Sequence, residues 1–192
     1  MNFLAHAWLA RGGSQAFVYG NLIADGVKGV DLSSWQPPVA RGIRHHRRVD
    51  AFVDRHSVVR EARNRAPAQQ RRHAGIALDL VWDHFLAASL DVAARDALVK
   101  RCYRLLGGWG APNRLSPMVP CLIGQDWLRG YADFDFTCRA IAGLGRRLSG
   151  PNHLEALIPW LHSDYLALSE GFRTLRGDLD NVLSIPPVSA SL

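Results

Sequence analysis

The sequence predicts an all-α, single-domain helical bundle, and three observations lead to that prediction. Apolar residues recur at helical spacing through most of the 192 residues, no stretch alternates as a strand would, and glycines and prolines separate the helical segments. A chain of this length is long enough for one well-packed domain and short for two. We expect residues 1–183 to form that domain and residues 184–192 to form a flexible tail.

Local signals place the ends of the predicted helices. Pro37 and the proline after it open a helix at its first turn, where proline is tolerated, and Pro67 begins the next helix. Asp91 is a typical N-cap, and residues 107–120 are dense in glycine and proline and are predicted as a loop. The predicted helices cover residues 1–10, 14–28, 37–65, 67–89, 91–106, 121–130, 132–148 and 151–176.

The composition excludes some classes of protein. No apolar run approaches the ~20 residues that a membrane-spanning helix needs, and the N-terminus lacks the basic leading region of a signal peptide. Three distant cysteines (Cys102, Cys121 and Cys138) have no metal-type spacing and are most simply reduced thiols. We therefore expect a cytoplasmic protein without membrane insertion.

Positive charge is concentrated in one segment. The chain has a net charge of +6, and between residues 41 and 73 ten arginines stand against three acids, a local net charge of +7. The planar fork of arginine pairs well with phosphate and carboxylate, so this segment indicates an acidic partner. A solvated helix face is the structural alternative for any single arginine.

The segment LDLVWDHFL (78–86) is the most informative in the chain. Asp79 and Asp83 are four residues apart in an otherwise apolar helical run, so they rise from one helix face, and His84 lies about 100° round. Burying two like charges is costly unless a cation or hydrogen-bond donors compensate them. A divalent metal would compensate both carboxylates at once.

A second segment, GIRHHRRVDAFVD (42–54), repeats this spacing. His46, Asp50 and Asp54 fall on one helical stripe, so two helices could face each other with metal ligands between them. Mixed histidine and aspartate sets suit divalent cations such as manganese, iron, zinc or magnesium. The arginines of the same helix that could hold a phosphate are Arg44, Arg47 and Arg48.

Each of these features also has an ordinary structural explanation. The acids of the segment at 78–86 could form the solvent-exposed face of a helix that is otherwise buried. His46 and Asp50 could be a simple hydrogen-bonded pair. His6 could be a satisfied core histidine. Asp25 follows a turn-like segment and could merely cap a helix end.

Four segments together resemble the bacterial acyl carrier protein phosphodiesterases, also called acyl carrier protein hydrolases. They are MNFLAHAWLA (1–10), GNLIADGVKG (20–29) and the two segments at 42–54 and 78–86, which occur in the family's order and at similar separations. The match covers about the first 90 residues. The second half shows only a general likeness, which includes QDWLRGYADFDF (125–136).

The resemblance implies a helical enzyme of fatty acid biosynthesis, distantly related to the HD-type metal-dependent phosphohydrolases. Such an enzyme uses a divalent metal, with Mn²⁺ expected, to hydrolyse the phosphodiester that joins 4′-phosphopantetheine to a serine of acyl carrier protein. The products are the apo carrier protein and free 4′-phosphopantetheine. Acyl carrier protein is small and strongly acidic, so the arginine-rich segment would attract it, and no nucleic-acid partner is expected.

The resemblance also implies roles for single residues. Two departures from the family pattern are Trp8, where relatives often have a second histidine, and the order Asp83-His84, the reverse of the motif that names the HD group. The expected catalytic residues are Asp50, Asp83 and Arg47, and alanine at Asp79 or Asp83 is expected to abolish turnover and to leave the fold intact. The expected substrate-binding residues are Arg44, Arg47 and Arg48. The expected metal ligands are His6, Asp25, His46, Asp50, Asp79, Asp83 and His84.

Two other functions remain open from the sequence. An HD-type phosphohydrolase that acts on a nucleotide would keep the metal site and change the substrate. A basic helical module that binds nucleic acid would explain the arginines but not the acids among them, which would repel phosphates in the absence of a metal.

Overall fold

A computed structural model describes residues 2–112, 114–146, 148 and 152–185. Within this part of the chain every regular element is helical, with eleven α-helices, three 3₁₀ helices and no β-strand, which confirms the predicted all-α fold. The α-helices are α1 (Phe3–Leu9), α2 (Gln15–Ile23), α3 (Pro37–Arg55), α4 (Ser57–Arg65), α5 (Ala74–Ser89), α6 (Val92–Trp109), α7 (Val119–Gly124), α8 (Trp127–Gly130), α9 (Phe134–Gly145), α10 (Ile158–Ser163) and α11 (Tyr165–Val182). The 3₁₀ helices are Ala24–Gly26, Arg71–His73 and Leu154–Leu157.

Helix α5 lies at the centre of the fold. Eleven of its 16 residues are buried, which explains why its sequence is apolar on nearly all sides. It packs against α1, α4, α9 and α11, and the fully buried ring of Trp82 stacks on Phe172 of α11. The aspartates of α5 therefore lie on a largely buried helix. No helix of the described residues combines the length and the apolar character that crossing a membrane requires.

Helices α2 and α3 pack more closely than any other pair because glycines lie at their contact. A Cβ on Gly20 would clash with the carbonyl oxygen of Val39, and one on Gly42 would clash with that of Phe17. The missing side chains let the two backbones touch. This close approach brings the last turn of α2 against the histidines of α3.

The helix predicted over residues 37–65 is wrong as a single element. It begins at Pro37 as predicted, but the backbone turns extended at His56 (ψ 136°), so α3 ends at Arg55 and α4 starts at Ser57. The His56 ring hydrogen-bonds the Asp178 carboxylate of α11 at 3.0 Å, a long-range contact that the local sequence does not reveal. The central helix also starts later than predicted, at Ala74, after turns and a 3₁₀ helix.

The second half of the chain is more broken than its sequence predicts. The helix expected over 121–130 is divided at Asp126, which adopts left-handed backbone (φ 50°) and accepts hydrogen bonds from Tyr103 and Arg129. The helix expected over 151–176 is instead a 3₁₀ turn, α10 and α11. Of the predicted tail, residues 186–192 lie outside the described residues, while Ile185 pairs through its backbone with the end of α1. The domain limit at residue 183 stays a prediction.

Candidate metal centre

Two buried histidines from different helices share one carboxylate. Nε2 of His6, on α1, lies 3.0 Å from one oxygen of Asp50, and Nε2 of His46, on α3, lies 3.0 Å from the other. The two imidazole rings are stacked, with centroids 3.6 Å apart and planes 12° from parallel. One possible ligand atom from each of the three residues lies within 4.8 Å of the others. We call His6, His46 and Asp50 the His–Asp cluster.

Asp25 adds a second carboxylate to the edge of the cluster. It lies on the 3₁₀ helix that follows α2, and its Oδ1 is 3.2 Å from Nε2 of His46. Its side chain is 62% exposed and that of Asp50 is 37% exposed, whereas both histidines are buried. Among the described residues of the site, the carboxylates are therefore the parts that solvent reaches. Two imidazoles and two carboxylates are a donor set that suits a divalent cation.

His46 is oriented as a metal-binding histidine would be. Its Nδ1–H donates a 2.9 Å hydrogen bond to the backbone carbonyl of Asn21, in the last turn of α2, and this leaves Nε2 facing the carboxylates. Such a bond to the second ring nitrogen fixes both ring position and tautomer. The residues thus fit a cation at Nε2 of His46. Asn21 was not predicted from the sequence, because the acceptor is its backbone carbonyl and any residue at this position would provide one.

The two histidines differ in protonation when no cation is bound. Burial and the nearby His46 lower the pKa of His6 to about 3, so His6 is neutral. Burial opposes the charge of His46 as well, but its hydrogen bonds to Asp25 and Asp50 outweigh burial and raise its pKa to about 9. Burial would raise the pKa of the Asp50 carboxyl, but its hydrogen bonds with His46 and His6 outweigh burial and hold that pKa far below its usual range. A protonated His46 therefore compensates the two carboxylates where a cation would do so.

Asp83 does not join the His–Asp cluster. Its carboxylate is fully buried and accepts backbone hydrogen bonds from Leu4 and Ala5, each 2.9 Å long, so it caps the first turn of α1. Those N–H groups would otherwise have no partner inside the helix. Burial raises the pKa of Asp83 to about 7, while the two N–H donors act against the rise. The compensation predicted for this acid is thus provided by backbone donors, and the expected roles in metal binding and catalysis are not supported by its position.

Asp83 still bears on the site through His6. Nδ1 of His6 is buried and has no hydrogen-bond partner among the described residues, so no second bond orients this ring. The position of His6 depends instead on where α1 lies, and Asp83 holds the start of that helix. Asp83 therefore contacts the helix that carries His6 and not the cluster itself.

Asp79, one turn before Asp83 on α5, has a different environment. It lines a cavity of about 450 Å³ together with Asp25, which places it beside the cluster without making it a member. Burial raises the pKa of Asp79, and the negative charges of Asp50 and Asp54 raise it further. Asp79 is thus an acid near the site whose pKa is raised.

His84 is engaged elsewhere. Its Nδ1–H donates to the carbonyl of Tyr131 at 2.8 Å, and the hydroxyl of Tyr165 donates to its Nε2 at 2.9 Å. Burial lowers the pKa of His84, and the two hydrogen bonds of the ring link α5 to the second half of the chain. With both ring nitrogens occupied, His84 offers no free atom to a metal in this arrangement.

The three arginines expected to bind substrate lie on different faces of α3. From Asp50, Arg47 is about 60° round the helix, Arg44 about 120° and Arg48 about 160°. Arg47 is half-buried and donates to the carbonyl of Val27 at 2.9 Å, beside the segment that carries Asp25. Arg44 and Arg48 are exposed on the outer face. Of these three arginines, Arg47 is the one held against the segment that carries Asp25.

Comparison with known proteins gives a consistent result over most of the chain. A sequence model of the family described as acyl carrier protein phosphodiesterase matches residues 1–179. The chain is similar to proteins of that name from Photorhabdus laumondii (35% identity over 77% of each chain) and Yersinia enterocolitica (35%, over 77% of this chain and 79% of the relative). It is also similar to one from Shigella boydii (34%, over 90% of this chain and 92% of the relative). No solved structure matches, and the expected relation to the HD-type enzymes stays a prediction.

Proposed function

Because this chain belongs to the acyl carrier protein phosphodiesterase family and is therefore a phosphodiester hydrolase, we propose that it uses a divalent cation to remove 4′-phosphopantetheine from holo acyl carrier protein. The observation that supports a bound cation is the His–Asp cluster, in which two buried imidazoles and a carboxylate converge. Mn²⁺ is the expected ion. The work of the enzyme would take place in the cytoplasm, with its substrate.

His6, His46 and Asp50 would hold the cation, and Asp25 would complete the set from the exposed edge. A divalent cation bound there would neutralise the phosphodiester charge and lower the pKa of the attacking water. A single cation held there would draw on all four side chains. Nε2 of His46 lies 3.0 Å from an oxygen of Asp50 and 3.2 Å from an oxygen of Asp25, which are hydrogen-bond distances. The proton on Nε2 that makes these hydrogen bonds would be lost when a cation binds.

The remaining chemistry falls to two neighbouring side chains. Arg47 would hold a phosphate oxygen, because arginine keeps its charge and has donors beyond the one given to Val27. Water adds to phosphorus, the bond from phosphorus to the serine oxygen breaks, and the water proton ends on that oxygen. Asp79, whose pKa is raised above that of an ordinary aspartate, would deliver that proton in place of Asp83.

The outer arginines would serve the encounter with the carrier protein. Arg44 and Arg48 lie on the solvent face of α3 and cannot reach the cluster, but their charge creates a positive potential over this side of the molecule. An acidic protein is attracted by such a potential, and salt screens the attraction over a distance of ~8–10 Å at physiological ionic strength.

Reversing this charge tests the encounter. We expect Arg44→Glu/Arg48→Glu to lower kcat/KM for holo acyl carrier protein about tenfold at low salt, mainly through KM, with kcat little changed. The loss should shrink as salt is raised. The matched control is Arg104→Glu/Arg173→Glu, which makes the same charge change at exposed positions of α6 and α11. Equal losses in both double variants would show that net charge, not the α3 face, matters.

Substrate choice separates this proposal from hydrolysis of a nucleotide. Initial rates are compared on holo acyl carrier protein and on a panel of nucleoside phosphates and cyclic nucleotides, each with Mn²⁺. We expect release of 4′-phosphopantetheine and little turnover of the panel. Efficient cleavage of a nucleotide, with holo carrier protein untouched, would replace the proposed substrate.

A further inference from the structure

A cavity of about 450 Å³ opens beside the His–Asp cluster, and apart from Asp25 and Asp79 its lining has no part in the chemistry so far described. Asp25 and Asp79 line it at the cluster, since Asp25 contacts His46 directly. Most of the remaining wall is apolar and comes from α7, α8, α9 and the loop before them. Its large apolar residues include Leu115, Met118, Leu122, Trp127, Phe136 and Leu144.

We propose that this cavity binds the pantetheine arm of the substrate. The inference rests on the proposed function, because it takes the phosphodiester to lie at the cluster. The phosphate then carries two substituents, which are the serine of a folded carrier protein and a slender uncharged chain. A cavity of this volume is typical of small-molecule sites and cannot hold a folded domain. The arm is the part of the substrate that fits.

The chemistry of the wall matches that of the arm. Pantetheine alternates short alkyl groups with two amides and carries no charge, so it suits an apolar wall with a few polar groups. The side-chain amides of Asn2 and Gln125 lie in the lining and can pair with amides, and Arg139 and Arg146 of the same lining add further hydrogen-bond donors. The acidic carrier protein would instead meet the arginine-bearing side of α3. The two halves of the substrate are thereby directed to surfaces of different character.

Helix α9 offers a way to fill the cavity without removing a contact. Gly143 lines it, and a Cβ at this position would have free space, with the Arg146 side chain as its nearest neighbour at 3.8 Å. Ala140, one turn earlier on the same helix, lines it too. Gly177 on α11 is the matched control, because it is exposed and a Cβ there would meet nothing within 4 Å.

The test uses free pantetheine, which lacks the phosphate, and the metal-free full-length protein. Binding is measured by ligand-observed NMR titration for the unmodified chain, Gly143→Phe, Ala140→Phe and Gly177→Phe. We expect both cavity-filling variants to bind pantetheine at least about tenfold more weakly, with Gly177→Phe unchanged. With metal restored, the same two variants should raise KM for holo acyl carrier protein about tenfold. Thermal unfolding checks that each variant is folded.

The outcomes separate this inference from the proposed function. If the unmodified chain hydrolyses holo carrier protein but shows no saturable binding of pantetheine, or if the filled variants bind as well as the control, the cavity is not the arm site. If pantetheine binds, the filled variants lose it and holo carrier protein is not hydrolysed, the cavity proposal stands and the proposed reaction is wrong.

Discussion

Asp50→Asn is expected to lower kcat/KM for holo acyl carrier protein by about 1,000-fold, which corresponds to about 4 kcal/mol of transition-state stabilisation. The substitution keeps the shape of the side chain but removes the charge that both histidines contact at 3.0 Å. The variant therefore lacks the carboxylate that hydrogen-bonds both imidazoles. The same variant should bind Mn²⁺ poorly, so added Mn²⁺ should raise the thermal unfolding temperature of the unmodified chain and not of Asp50→Asn.

The matched control lies one turn further along α3. Asp54 has a side chain that is 68% exposed and a loose ion pair with Arg63 at 3.6 Å, so Asp54→Asn makes the same chemical change away from the histidines. We expect its activity and its thermal response to Mn²⁺ to match the unmodified chain. Near-normal turnover in Asp50→Asn, or an equal loss of activity in both variants, would show that the His–Asp cluster is not the catalytic site.

Asp83→Ala is expected to destabilise the fold as well as to reduce turnover. It leaves the buried N–H groups of Leu4 and Ala5 without acceptors and opens a void under α1, so we expect a loss of about 2–4 kcal/mol in the free energy of unfolding. Activity should fall with it, because α1 carries His6. Urea unfolding measures the first effect, and turnover at a temperature where the variant is folded measures the second.

Asp91→Ala is the control for this substitution. Asp91 also caps a helix, accepting from the N–H of Ala94 at 2.8 Å, but it does so at the surface at the start of α6. We expect a smaller loss, about 0.5–2 kcal/mol, and unchanged activity in the folded protein. Should Asp83→Ala instead be as stable as the unmodified chain and merely inactive, Asp83 would act in the chemistry, as its motif predicted, and not as a helix cap.

The sequence was sufficient to predict the all-α class and the part of the candidate site that lies on α3. His46 and Asp50 were paired by their four-residue spacing alone, which is a local property of a helix. The same rule placed Asp79 and Asp83 on one face of α5 but could not separate their environments. Asp83 meets the start of α1, nearly 80 residues away in sequence, and only tertiary packing decides such a contact.

Some of what was missed could have been read from the sequence and some could not. The rotation of Arg44 and Arg48 away from Asp50 follows from helical geometry and needed no structure. The break at His56 depends on Asp178, and the orientation of His46 depends on a backbone carbonyl of Asn21. Carbonyl positions leave no trace in residue identity, which is why the residue that orients the metal-facing histidine was not predicted.

The most direct test of a metal-dependent reaction at the His–Asp cluster is the mass of holo acyl carrier protein after incubation with metal-free and with Mn²⁺-restored enzyme. We expect loss of the 4′-phosphopantetheine mass, giving the apo carrier protein, only with the restored enzyme. Restored Asp50→Asn should leave the mass unchanged, and restored Asp54→Asn should release the group. Equal release by metal-free and restored enzyme would contradict a metal-dependent reaction. Full release by restored Asp50→Asn would contradict the His–Asp cluster as the metal site.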